Sequence, residues 1–239
     1  GHICVWDPRT DTADKSSTGS SASKFSSFSS SSQKASTPNV SIFAGEAVVN
    51  ISLAENTTFV YAALQGGAII RTDIRKPEAK GTPLPTSLPD ISPVTSIAAT
   101  HDGGFVAGTI SGHVELNYGP NRTEIIKCHR TESSNSHAAY SSNMVAVSRE
   151  KNIGMSVGGD GLISFFDLSS LKKTKDAKVQ SSTHPAPLTA CAFAPGGTVV
   201  AVAQGYDWSK GIGHIEKMGG PCQVEIYIKT LTSQEMASR

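Results

Sequence analysis

The feature that most limits what this chain can fold into is a recurring unit of short strand-like runs separated by glycine turns, with an aspartate near the end. The clearest copy runs through Ile153-Gly154-Met155-Ser156-Val157-Gly158-Gly159, the turn Asp160-Gly161, and Leu162-Ile163-Ser164-Phe165-Phe166-Asp167. Short runs of this kind, bounded by Gly, Asp and Pro, mark strands rather than helices. The residues that precede the third run of each copy are Gly1, Gly67, Gly112, Gly161 and Gln223, at intervals of about 66, 45, 49 and 62 residues. Subtracting roughly 25 residues for a serine-rich insert and roughly 16 for the loop Tyr206–Pro221 brings the period into the forties, the length of a four-stranded propeller blade. So small a sheet has two apolar faces, which only its neighbours in a ring can cover.

The other copies read the same way. Val40–Phe43, Ala47–Leu53, Thr58–Ala63 and Ala68–Arg75 are strand-like, then Val94–Ala98, Phe105–Thr109 and Gly112–Tyr118. Ala138–Val147 opens the next copy, and Leu188–Phe193, Thr198–Ala203 and Val224–Ile228 form the last. No stretch shows sustained helical periodicity. Twelve of the twenty-one residues from Ser16 to Ser36 are serine, too little apolar surface to offset the entropy of ordering, so 11–38 is expected to be a disordered insertion. The basic run Leu171–Lys178 is expected on a loop between blades.

Composition excludes several function classes. The apolar fraction of 38% supports a packed core, and a net charge of +1 gives no global attraction for nucleic acid or membrane. Any basic surface must be local. No signal peptide or long apolar run is present, so a soluble chain without membrane insertion is expected. The four cysteines, Cys4, Cys128, Cys191 and Cys222, form no C-x-x-C pair and read as reduced, buried residues. The seven histidines lack metal-ligand spacing, and G-x-S-x-G, P-loop and H-E-x-x-H motifs are absent. No catalytic residue, metal or cofactor is therefore expected.

The residues Val5-Trp6-Asp7, Asp160-Gly161 with Phe165-Phe166-Asp167, and Phe193-Ala194-Pro195-Gly196-Gly197 make the chain resemble a WD-repeat β-propeller, an all-β fold. The Gly-His dipeptide usual upstream in each blade is missing. Starting at the third strand of a blade, residues 1–239 would make the C-terminal part of one propeller. About four and a half blades are present where seven are usual, and an N-terminal portion of two to three blades is expected to be absent from the sequence.

Two stretches go beyond the repeat: Ile125-Ile126-Lys127-Cys128-His129-Arg130 and Tyr206-Asp207-Trp208-Ser209-Lys210-Gly211. In this order, on either side of G-x-D-G-x-x-S-F-x-D, they resemble the Gle-two-type mRNA export family of the nuclear pore. That resemblance implies a non-enzymatic adaptor in nucleocytoplasmic mRNA export, located in the nucleus and at the nuclear pore and shuttling to the cytoplasm. The implied partners are a nucleoporin with a short hairpin-like binding segment and RNA or ribonucleoprotein. Lys127, Arg130, Trp208 and Lys210 would line the binding face, with Lys and Arg neutralising phosphate or acidic side chains and the Trp offering a stacking surface. Asp207 reads as a turn-former, and Tyr206 and Phe165 read as packing residues. The alternatives are the sister family of Bub-three-type spindle-checkpoint scaffolds, with mitotic checkpoint or spindle proteins as partners, and a generic WD-repeat interaction scaffold. The hexapeptide Y-D-W-S-K-G favours the first.

Overall fold

The computed structural model describes residues 1–5, 40–54, 57–76, 80–88, 92–119, 121–133, 136–148, 150–179, 186–218 and 224–236. Trp6, Asp7 and the serine-rich insertion expected over 11–38 lie outside the described residues, as does Cys222. Strands β1 (His2–Val5) and β2 (Val40–Phe43) form a two-stranded antiparallel sheet. Next come β3 (Val48–Leu53), β4 (Phe59–Leu64), β5 (Ile69–Asp73) and β6 (Thr82–Pro83), hydrogen-bonded in sequence order. The same order recurs in β7 (Val94–Ala99), β8 (Phe105–Thr109), β9 (His113–Asn117) and β10 (Thr123–Lys127). A separate hairpin of β11 (Arg130–Ser133) and β12 (Ser136–Ala139) precedes the third four-stranded sheet. That sheet is β13 (Ser142–Ser148), β14 (Ile153–Gly158), β15 (Leu162–Asp167) and β16 (Lys172–Lys178). Last are β17 (Leu188–Phe193), β18 (Val199–Gln204), helix α1 (Ile212–Met218), β19 (Glu225–Thr230) and the short helix α2 (Ser233–Met236). Strands β17, β18 and β19 make a three-stranded sheet. This is part of a WD-repeat β-propeller.

The sheets meet along their first strands: β3 packs beside β7, β7 beside β13, and β13 beside β17. Each of these is the edge of its own sheet, so half of its backbone donors face away from the neighbouring strand and need another acceptor. The preceding sheet supplies it. Ile97 N–H donates to Asn50 Oδ1 at 3.1 Å and Ala99 N–H to Ser52 Oγ at 2.9 Å. Val145 N–H donates to Ser96 Oγ at 3.2 Å, and Cys191 N–H to Met144 Sδ at 3.4 Å. Donor and acceptor are 47, 47, 49 and 47 residues apart, so the blade period is written directly in these bonds.

Apolar layers fill the spaces between sheets. Tyr61, Ala63 and Ile69 pack on Val94, Ile97 and Phe105. Val106, Val114 and Leu116 pack with Val145, Phe166 and Leu168, and Met155, Ile163 and Phe165 with Leu188, Cys191 and Val202. Middle strands are covered on both faces, which is why β8 and β14 are buried at every position. The glycine before each third strand is required by its turn. Gly67, Gly112 and Gly161 have φ of 88°, 73° and 75°, a left-handed conformation that a Cβ disfavours.

Three sequence expectations are corrected. Lys172–Lys178 is not a connecting loop but the outermost strand β16, paired along β15. Its lysines blunt an edge that another strand would otherwise pair with, and Lys173 bonds Asp176 at 2.7 Å. The run Ala138–Val147 is broken at Tyr140-Ser141 between β12 and β13. A helix, α1, sits inside the Tyr206–Pro221 excursion. At seven residues it is too short to leave a periodic signature.

His129 has φ 48° and turns its ring into the protein between two sheets, where it is 2% exposed. Its Nδ1 bonds Asp160 Oδ1 at 2.9 Å and its Nε2 bonds Ser156 Oγ at 2.7 Å, while Ser156 Oγ also bonds Ser142 Oγ at 2.7 Å. A Cβ on Gly158 would run into the imidazole, so the glycine makes room for it. The ring thus ties the chain leaving β10 to the β14–β15 turn of the next sheet. His129→Ala is expected to cost about 3 kcal/mol, because it removes one hydrogen bond from a buried carboxylate and one from a buried hydroxyl. Ser142→Ala, which removes one neutral hydrogen bond, is expected to cost about 1 kcal/mol. Urea-unfolding midpoints of the two variants check both values.

Candidate functional site

The excursion between β18 and β19 begins as a closed loop. Asp207 Oδ1 accepts the Ser209 N–H at 3.1 Å, the turn-forming role expected from sequence. Gly211 N–H donates to Trp208 O at 3.0 Å. Tyr206 Oη accepts the Lys210 N–H at 3.0 Å and donates to Gly211 O at 2.8 Å, so the loop is bonded across its own base. At its tip Trp208 adopts φ 62° and is 61% exposed. Lys210, beside it, is exposed. Among the described residues, the hydrogen bonds and ring contacts of Tyr206 stay within its own excursion, rather than in the core or inter-blade packing expected. Phe165 is core, fully buried.

The second group surrounds His113. Lys127 is exposed and lies directly across the strand pair from His113. Arg130, after the break at Cys128-His129, donates from Nη2 to His113 Nε2 at 3.0 Å and to Ser111 O at 3.2 Å. Accepting from a guanidinium leaves the neutral imidazole proton on Nδ1, which faces Ser111 Oγ at 2.9 Å. Burial, then the charges of Arg130 and Lys127, holds the His113 pKa below its ordinary value. Among the described residues the Arg130 Nε–H is buried without a partner. Arg130 is thus half anchored, rather than a free strand-end charge.

One turn lies between the two groups. A Cβ on Gly159 would meet Asp207 Oδ2 at 3.0 Å, so the Trp208 loop rests on this residue. The next residue, Asp160, holds His129, and Arg130 follows His129 in the chain. Lys127 and Arg130 form one cluster and Trp208 and Lys210 the other, joined through Gly159-Asp160. Sequence reasoning missed His113, Ser111 and Gly159. His113 carried a signal, its place in the strand after a glycine turn, but its pairing with Arg130 across a strand and a loop did not show in spacing.

Ser156, His129 and Asp160 have the order of a hydrolase triad, but all lie inside the protein. Ser156 is fully buried and its hydroxyl is shared with Ser142, so no substrate carbonyl can reach it. Burial pushes the Cys128 and Cys191 thiols up to about 12, which keeps them protonated and unreactive. Among the described residues no group of three His, Cys, Asp or Glu is placed to hold a metal ion. No described helix is long and apolar enough to cross a membrane.

Known proteins share part of this chain. It is 34% identical over 116 residues to proteins named mRNA export factor from Sus scrofa and Bos taurus, covering 45% of this chain and 30% of each relative. It is 34% identical over 113 residues to the protein named Rae1 of Drosophila melanogaster, covering 45% of this chain and 32% of that protein. Over the matched stretch the chain is similar to the Rae1-type mRNA export factors. The matched stretch spans about a third of those relatives' length. No family model matches the chain.

The depressed His113 pKa fixes the sign of a pH effect. Between the folded value and the ordinary value near 6.5 the unfolded chain takes up a proton that the folded chain does not, so stability falls as pH drops through that window. Unfolding free energy measured from pH 7.5 to 5.5 should fall in the wild type. In His113→Gln, which keeps an acceptor for Arg130 but does not titrate, the fall should be smaller.

Proposed function

We propose that this chain belongs to a non-enzymatic WD-repeat adaptor in nucleocytoplasmic mRNA export, acting in the nucleus and at the nuclear pore. The face carrying Lys127, Arg130, Trp208 and Lys210 would bind RNA or ribonucleoprotein, and another part of the propeller a short segment of a nucleoporin. The observation that carries the RNA reading is Trp208, held in a left-handed conformation, 61% exposed, with Lys210 beside it. Left-handed backbone disfavours any residue with a Cβ, and exposure wastes the largest apolar side chain, so stability does not account for this arrangement. Binding does. An indole stacks on a base for about 1–3 kcal/mol, and a nearby ammonium neutralises phosphate. The similarity to proteins named mRNA export factor supports the same reading.

Trp208→Ala combined with Lys210→Glu should weaken binding of a fluorescent oligo(A) strand by at least tenfold and flatten its salt dependence, with an unchanged urea midpoint. Unchanged affinity and salt slope would refute the site. A pull-down separates the wider readings: nucleoporin with poly(A) RNA supports export, and checkpoint kinases without nucleoporin would sink it.

A further inference from the structure

The loop that presents Trp208 is organised by one side chain. Tyr206 uses its hydroxyl twice, accepting the Lys210 N–H at 3.0 Å and donating to Gly211 O at 2.8 Å. These bonds bridge the ends of the Tyr206–Gly211 stretch and enclose Trp208, much as a covalent cross-link would. The tyrosine ring lies beside two others, Trp208 at a centroid distance of 5.5 Å and His214 of α1 at 5.2 Å. The ring planes are tilted by 47° and 39°, in the range where aromatic pairs attract.

The Trp208 backbone conformation is unfavourable on its own and persists only where its surroundings hold it. Asp207 and Gly211 close the turn locally. Among the described residues Tyr206 is the side chain that reaches across it, and its ring also flanks the indole. A tyrosine ring that is neither core nor fully exposed, with both hydrogen-bonding roles spent on one short loop, serves that loop's shape.

We propose that Tyr206 is a positioning residue that fixes Trp208 as a preformed stacking platform for a single-stranded nucleic-acid base. The proposal rests on the reading of Trp208 given above. A platform ordered before binding loses less freedom when a base arrives, so its effect appears as affinity rather than as global stability. Tyr206 itself does not contact the base.

The test is Tyr206→Phe, which keeps the ring and removes both hydrogen bonds. The full chain carries two tryptophans, so labelling with 5-fluorotryptophan gives two ¹⁹F resonances, and Trp208→Phe identifies one of them. Oligo(A) affinity is measured on the same samples. In Tyr206→Phe the Trp208 resonance should narrow or shift toward its unfolded position, and oligo(A) affinity should fall about tenfold. The urea midpoint should not change, a result that a merely structural role would not give together with the other two. An unchanged Trp208 resonance overturns the proposal, as does an altered resonance with unchanged affinity. The two readings fail differently: if Trp208→Ala leaves oligo(A) affinity intact, the stacking function is wrong, whereas if only Trp208→Ala weakens binding and Tyr206→Phe does not, the positioning role is wrong.

Discussion

The architecture depends on how the unpaired edge of each inner strand is satisfied. Strands β7, β13 and β17 begin their sheets and have no ladder partner on one side, yet the outward N–H groups of Ile97, Ala99, Val145 and Cys191 are bonded. The acceptors are Asn50, Ser52, Ser96 and Met144, each on the first strand of the sheet before. A buried N–H without an acceptor costs more than a made bond gains, so these polar side chains set how closely successive sheets approach. Apolar layers then fill the space that the contacts define. Neither term suffices alone: the layers supply most of the driving force but little direction, and the hydrogen bonds supply register.

The candidate site follows from that packing. Because sheets meet along their first strands, the turns between second and third strands come near the segments that enter the next sheet. His129 joins one such segment to one such turn, and the residues beside its bonds are those with surface chemistry: Arg130 next to His129, and Gly159, which supports Asp207, next to Asp160. A buried polar network thus sets the placement of exposed charges and an exposed indole. The same network has a hydrolase-like residue order, and burial decides that it acts as a clamp.

Much of the fold was legible because its signals are local. Glycines at Gly67, Gly112 and Gly161 mark turns that need positive φ, and the continuous apolar runs of β8 and β14 mark strands covered on both faces. Lys172–Lys178 was misread because lysine-rich sequence looks like loop, whereas an outermost strand needs charge to avoid further pairing. Helix α1 escaped because two turns are too few for periodicity. Within the site, the role of Asp207 could be read from its neighbours. Those of His113 and Tyr206 could not: one depends on a cross-strand register, and the other on which way a ring turns at the base of a loop.

The proposed meeting place of nucleic acid and this protein is the Trp208 loop with the Lys127–Arg130 cluster. Ultraviolet cross-linking of the full chain to oligo(A), with the attached peptides identified by mass spectrometry, tests it most directly. Cross-links are expected within Tyr206–Lys210 and on the peptide carrying Lys127 and Arg130. Cross-links confined to the lysine-rich strand Lys172–Lys178, or none above background, would contradict it.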